Sequence, residues 1–219
     1  MRHAILRDMF DCVIAAAGAS SRMRGTDGRP SLKPLLPFGG STLVETAVRA
    51  ALDSGARVLL VLGNRGEDIA ALFEAPAYRS VRADGRLREI ENPRWMEGML
   101  VSIQAALPEV EGEAFFVSHA DMPFISSESY RALAASRAAR RAAGMPEAAT
   151  VASHEGRGGH PVLMPSAWIP EILGLGAGDS MRTFLSQRPR ITVEMGSGAL
   201  RDVDTPEDYA SALEARGDA

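Results

Sequence analysis

Three short apolar runs constrain this chain more than any other feature: CVIAAA (Cys12–Ala17), RVLLVLG (Arg57–Gly63) and AFFVSHAD (Ala114–Asp121). Each is too short for a buried helix and is apolar on both faces, the pattern of a strand inside a sheet covered on both sides. The covers follow in sequence. STLVETAVRAALDSG carries a capping box, Thr42 with Glu45, then an apolar face of Val44, Ala47, Val48, Ala51 and Leu52, and Gly55 as its stop. GEDIAALFE, MLVSIQAAL and the arginine-rich SSESYRALAASRAARRAAG read as further helices. Past residue 148 the rhythm changes: ATVAS and HPVLMP read as short strands around EGRGG, followed by a helix at DSMRTFLSQ, a strand at RITVEM and a closing helix capped by Thr205-Pro206. The expectation is an α/β fold: a Rossmann-like, mostly parallel sheet with helices on both faces and a small β insertion in the second half. At 219 residues with no visible linker, one domain over 1–219 is expected.

Bulk properties exclude several function classes. A net charge of −4 disfavours a nucleic-acid binder, so any anion must be gripped locally. The single cysteine, Cys12, rules out an internal disulfide and the cysteine-based zinc frameworks. The four histidines gain no cysteine to complete a zinc site, even though His119 and Asp121 share a strand face. No apolar run reaches the roughly 20 residues of a membrane span. Charges interrupt MRHAILRDMFDC, unlike a secretory leader, and a cytoplasmic location is expected.

The first apolar run opens into a stretch of small residues, Ala17, Gly18, Ala19, Ser20 and Ser21, where successive backbone N–H groups can converge on an anion. Arg22 adds a planar fork of donors that matches phosphate oxygens. It is not the three-glycine dinucleotide fingerprint, nor a P-loop, since no Gly-Lys-Ser/Thr follows. On these residues alone, an ordinary strand-to-loop turn stays open. Lys33 is the only lysine among 24 basic residues. A chain that uses arginine for every other positive charge keeps one compact, mobile ammonium here, which suggests a site needing the slimmer head group. Asp121 ends the third apolar run, where open α/β sheets build their sites, and a triphosphate would bring Mg²⁺ that takes carboxylate oxygen. A turn or capping aspartate is the competing reading. Asp202 and Asp204 alternate with Val203 and are expected at a strand end before the closing helix, where acidic residues also occur for dipole reasons.

AAGASSRM (Ala16–Met23) followed by KPLLPFGGSTLVE resembles the nucleotide-binding signature of the molybdenum cofactor nucleotidyltransferases, most nearly the cytidylyltransferases, within the glycosyltransferase-A-like superfamily. The loop between the arginine and the lysine is longer here, with RGTDGRPSL intervening. The resemblance implies that Ala16, Ala17, Gly18, Ala19, Ser20 and Ser21 wrap the triphosphate while Arg22 and Lys33 neutralise it. ADMP is similar to the family's GDMP element and implies Asp121 as metal holder and catalytic residue, with Ala120 in the glycine's place; DVDTPED implies Asp204 as a second metal contact. NPRWMEGMLVSIQAAL is similar to a GMxxSL element and implies Gly98 and Ser102 on the nucleotide side. GRGGHPVLMP and GAGDSMRTFL imply Gly159, His160, Asp179 and Arg182 on the acceptor side, although Ser180-Met181 replaces smaller residues.

The matched elements run in family order from Ala16 to Tyr209. They imply a nucleotidyltransferase that uses Mg²⁺ to move CMP from CTP to a molybdopterin-type acceptor, releasing pyrophosphate, with a molybdoenzyme or its maturation chaperone as protein partner and neither nucleic acid nor membrane. Two other readings stay open: a guanylyltransferase or sugar- or alcohol-phosphate nucleotidyltransferase of the same fold, and a non-catalytic nucleotide-binding partner of a molybdoenzyme.

Overall fold

A computed structural model describes residues 10–18, 32–176 and 178–217. In chain order the strands are β1 (Asp11–Ala15), β2 (Pro37–Phe38), β3 (Ser41–Thr42), β4 (Arg57–Leu62), β5 (Leu87–Glu91), β6 (Ala114–His119), β7 (Ala149–His154), β8 (Arg157–Pro165) and β9 (Arg190–Glu194). The α-helices are α1 (Leu43–Asp53), α2 (Gly66–Phe73), α3 (Arg79–Ala83), α4 (Met99–Ala106), α5 (Ser127–Ala142), α6 (Ile169–Leu173), α7 (Met181–Ser186) and α8 (Pro206–Arg216).

Seven strands form one sheet in the order β5-β4-β1-β6-β8-β7-β9. Among the described residues only β8 runs antiparallel to its neighbours in this sheet, so the sheet is mostly parallel, as the apolar runs predict. β1, β4 and β6 are its buried centre. Along β1 the side chains alternate between two cores: Cys12 and Ile14 pack with Val44, Val48 and Leu133 on one face, and Val13 packs with Ile103, Phe115 and Phe184 on the other. α1 and α5 therefore cover one face, and α4, α6 and α7 the other. The capping box at α1 forms as predicted, with Thr42 Oγ1 accepting from the Glu45 N–H and Glu45 accepting from the Thr42 N–H. The strands of the second half are not a separate insertion: β8, β7 and β9 continue the main sheet itself beyond β6.

The chain steps from β1 outward to β4 and β5, then crosses back to place β6 on the other side of β1. Strand order thus reverses between β1 and β6, and their carboxyl ends flank the crevice where open α/β sheets hold ligands. At the opposite, amino end of the same strands, Arg57 is fixed by Asp11 and Glu111 at 2.5 and 2.7 Å and by the Glu109 carbonyl at 2.6 Å. No helix among the described residues is long and apolar enough to cross a membrane.

Candidate active site

Three segments distant in sequence meet at the β1/β6 crevice. From β1 the chain continues through Ala16 and Ala17, both buried, to the exposed Gly18. Lys33 opens a 3-10 turn (Lys33–Leu35) whose flanking Leu32 and Pro34 are buried, which fixes the backbone and leaves the four-carbon stem to aim the ammonium. Asp121 stands two residues past the end of β6. Asp204 comes from the far end of the chain, just before α8.

The arm bearing Asp204 is seated by close packing. A 3-10 turn (Ser197–Leu200) presses against β8 and against Phe124. A Cβ on Gly159 would lie 2.0 Å from the Ala199 carbonyl oxygen, and one on Gly198 would lie 2.6 Å from that of Phe124, so both contacts require glycine. The Val203 N–H then donates to the Asp121 carbonyl at 2.9 Å. Asp202 and Asp204 consequently lie on an extended segment bonded to the Asp121 backbone; the expected strand at this point is not formed, because one hydrogen bond rather than a ladder holds it. Thr205 caps α8, and Asp208 accepts from the Asp204 and Thr205 N–H groups.

The three side chains converge. Lys33 Nζ donates to Asp121 Oδ2 at 2.5 Å and to Asp204 Oδ1 at 2.7 Å. Lys33 and Asp121 are 14% and 22% exposed and Asp204 is 37% exposed, so the cluster opens outward through Asp204. Burial alone would lower the Lys33 pKa, but the Asp121 and Asp204 carboxylates outweigh it and the net direction is up; the ammonium stays charged. Burial, with Asp204 and Asp121 nearby, raises the Asp202 carboxyl.

Beneath this cluster lies a histidine pair. The rings of His119 and His160 meet edge to face, with Nε2 atoms 3.1 Å apart. Burial pushes His119 down to about 4, helped by the Lys33 charge, and His160 down to about 3, helped by His119. Both are neutral at pH 7. His160 Nδ1 lies 3.3 Å from the Val117 carbonyl, which can only accept, so that nitrogen carries the proton. His160 Nε2 then accepts from the His119 Nε2–H, and His119 Nδ1 is left with its lone pair.

The remaining expected site residues fall into separate places. Ala19, Ser20, Ser21 and Arg22 lie outside the described residues. Ser102 is buried, its hydroxyl accepting from Asn92 Nδ2 at 3.0 Å and donating to the Gly98 carbonyl at 3.3 Å. With the Asn92 N–H donating to the Leu62 carbonyl, this ties the start of α4 to β4. Asp179 closes a turn by accepting from the Gly176 N–H at 2.9 Å, and Arg182 is exposed on α7. Sequence reasoning set His119 aside together with a zinc site and left it out of the candidate residues; β6 ends at His119, so Asp121 lies just past the strand rather than on its face, and the two-residue spacing was the available signal. Asn92 opens the same NPRWMEGMLVSIQAAL motif, but its role shows only in the bond to Ser102 ten residues on.

Two carboxylates from different elements, one of them 37% exposed, suit Mg²⁺ or Mn²⁺, which take one or two carboxylates and complete their shell with phosphate oxygens and water. Among the described residues no group of three His, Cys, Asp or Glu forms a self-sufficient metal cage. The donor set fits a metal that arrives with a phosphorylated ligand.

Comparison with known proteins identifies the family. The molybdenum cofactor cytidylyltransferase of Escherichia coli is 31% identical over 206 residues, covering 94% of this chain and 96% of that protein. The nicotine blue oxidoreductase of Paenarthrobacter nicotinovorans is 29% identical over 180 residues, 81% of each chain. Among solved structures, Rv0371C of Mycobacterium tuberculosis, described as a complex with manganese, superposes with a TM-score of 0.61 at 23% identity, covering 94% of this chain and 99% of that one. Residues 12–191 match the MobA-like NTP transferase domain, and the chain belongs to that family of nucleotidyltransferases.

Proposed function

We propose that this enzyme transfers CMP from CTP to the phosphate of a molybdopterin-type acceptor and releases pyrophosphate. The observation that carries the reading is the single ammonium of Lys33 bonded at once to Asp121 and Asp204 beside the carboxyl ends of β1 and β6. The choice of nucleotide and acceptor rests on the 31% identity to a molybdenum cofactor cytidylyltransferase over nearly the whole chain. The similarity to a nicotine blue oxidoreductase does not redirect it, because the loop after β1 lacks the glycine pattern of a dinucleotide grip while the Asp–Lys–Asp cluster suits a polyphosphate.

The reaction asks for alignment and charge compensation rather than a side-chain nucleophile. An acceptor phosphate oxygen forms a bond to the α-phosphorus, the bond from that phosphorus to the bridging oxygen breaks, and pyrophosphate leaves with the electron pair. The acceptor phosphate is ionised at neutral pH, so no general base is required, and the neutral His119–His160 pair is not called upon to move a proton. Ala17, Gly18, Ala19, Ser20 and Ser21 offer backbone N–H groups to the triphosphate, whereas the Ala16 N–H is taken by the Val61 carbonyl at 2.9 Å and Ala16 serves only as the buried base of the loop; Arg22 and Lys33 offset the charge that grows on the leaving pyrophosphate. Asp121 and Asp204 would hold Mg²⁺, which would supply further positive charge against that of the phosphates. Gly98 and Ser102 shape the nucleotide side, Ser102 through its bond to Asn92. Gly159, His160, Asp179 and Arg182 belong to the acceptor side. The division of one domain into a nucleotide half near 11–125 and an acceptor half near 126–219 follows this scheme. A cytoplasmic location and delivery to a molybdoenzyme or its chaperone go with this reading of the acceptor.

The test is a nucleotide panel. With Mg²⁺ and the molybdopterin acceptor, CTP should give pyrophosphate and raise the melting temperature more than GTP or ATP. Preference for GTP would make the protein a guanylyltransferase, activity with a sugar or alcohol phosphate would change the acceptor, and binding without pyrophosphate would make it a non-catalytic partner.

A further inference from the structure

Lys33 is placed where a metal would go. Its ammonium is within hydrogen-bond distance of both carboxylates, from two different segments, and so occupies the space between them. A divalent ion bridging Asp121 and Asp204 would need that same space, and two cations cannot share it without strong repulsion. We propose that Lys33 is the resident counter-cation of the metal site: it holds the two carboxylates together in the nucleotide-free enzyme, keeps divalent metal out, and gives up the position when triphosphate oxygens take its ammonium. The proposal rests on the reading of Asp121 and Asp204 as metal carboxylates.

The local build supports an exchange by side chain alone. Buried Leu32 and Pro34 pin the backbone on either side of Lys33, while four rotatable bonds separate that backbone from the ammonium. A lysine head is a compact point charge that can trade two carboxylates for phosphate oxygens by rotamer change. An arginine fork would bind both carboxylates through several fixed donors and release them less readily. This gives a physical reason for the one lysine of the chain to stand here. The consequence is thermodynamic. Nucleotide and metal tighten one another's binding by the same factor, and metal alone binds weakly.

Mn²⁺ affinity, read by electron paramagnetic resonance of free ion and by calorimetry, tests this without any turnover. The protein is titrated alone and with a non-hydrolysable CTP analogue, alongside Lys33→Met and Lys33→Gln, whose folding is checked by circular dichroism. Removing the ammonium should tighten Mn²⁺ binding at least tenfold in the absence of nucleotide and shrink the gain the analogue produces. Unchanged Mn²⁺ affinity in both folded variants would overturn the proposal, as would wild-type protein that binds Mn²⁺ equally well with and without the analogue. Asp121→Asn added to Lys33→Met separates the two readings. Loss of the gained affinity supports both, and its survival would show that these carboxylates are not the metal's, which removes the underlying reading as well. If Asp121→Asn weakens Mn²⁺ binding in the presence of the analogue while Lys33→Met gains nothing without it, the metal site stands and only the exchange falls.

Discussion

Two clusters of one cation and two carboxylates sit at opposite ends of the same strands. At the amino end, Arg57 on β4 bonds Asp11 on β1 and Glu111, and its remaining reach goes to the Glu109 carbonyl. Asp11 is closed off in turn, its second oxygen accepting from the Glu111 and Gly112 N–H groups at 2.7 and 3.0 Å. At the carboxyl end, Lys33 bonds Asp121 and Asp204, but each partner comes from a loop or an extended arm, and the cluster opens outward. Arginine on a buried aspartate whose second oxygen is held by backbone N–H groups makes a lock, even with an exposed Glu111 beside it; lysine between two side-chain carboxylates at a crevice is the arrangement expected of a site that exchanges ligands. Charge count does not separate the two, whereas head-group shape and the ownership of the remaining lone pairs do.

The comparison predicts opposite consequences for similar mutations. Asp11→Ala leaves the Arg57 charge buried and should cost about 3–5 kcal/mol of stability, or a melting temperature lower by roughly 10 °C, with normal turnover per folded molecule; a variant that melts normally but is inactive would erase the contrast. Asp121→Asn should do the reverse, lowering kcat on the order of 10²–10³-fold while the melting curve barely moves. If that variant chiefly unfolds, Asp121 belongs with the structural cluster. Lys33→Arg keeps charge and fold and should lose activity about ten- to a hundredfold through misplacement of the cation; near-normal rates would mean that the head group is immaterial.

A smaller effect concerns the histidine pair beneath the site. Both pKa values are depressed from 6.5, to about 4 for His119 and about 3 for His160, so below about 6.5 the unfolded chain takes up protons that the fold refuses. Their contribution is intact above that pH and is lost as pH falls toward 4 and then 3. The drop in melting temperature from pH 7 to pH 5 should be larger in the wild type than in His160→Gln. Equal drops would show that the pair does not titrate with unfolding.

The readable parts of the sequence were those set by local chemistry. β1, β4 and β6 were legible because both faces of each are buried, and α1 because its capping box and apolar stripe are local. β5 escaped because it is an edge strand of mixed character, with Leu87 buried and Arg88 and Glu91 exposed, so neither alternation nor an apolar run marks it. The β7–β8 hairpin is local, but its place in the main sheet, and that of β9, depends on the β6–β8 and β7–β9 pairings between segments far apart in sequence, which no window reveals. At the site, Lys33 stood out by composition and Asp121 by its position after a buried strand, and they are in contact across 88 residues. What the sequence concealed was the means: the close approaches at Gly159 and Gly198 that seat Asp204, and the pairing of His119 with His160.

The most direct measurement is a crystal structure of the enzyme with a non-hydrolysable CTP analogue and Mn²⁺, located by its anomalous signal. The account predicts Mn²⁺ bound by Asp121 and Asp204 and shared with the phosphates, with Lys33 Nζ moved onto phosphate oxygens. Nucleotide bound elsewhere while Lys33 still bridges the two carboxylates would contradict it.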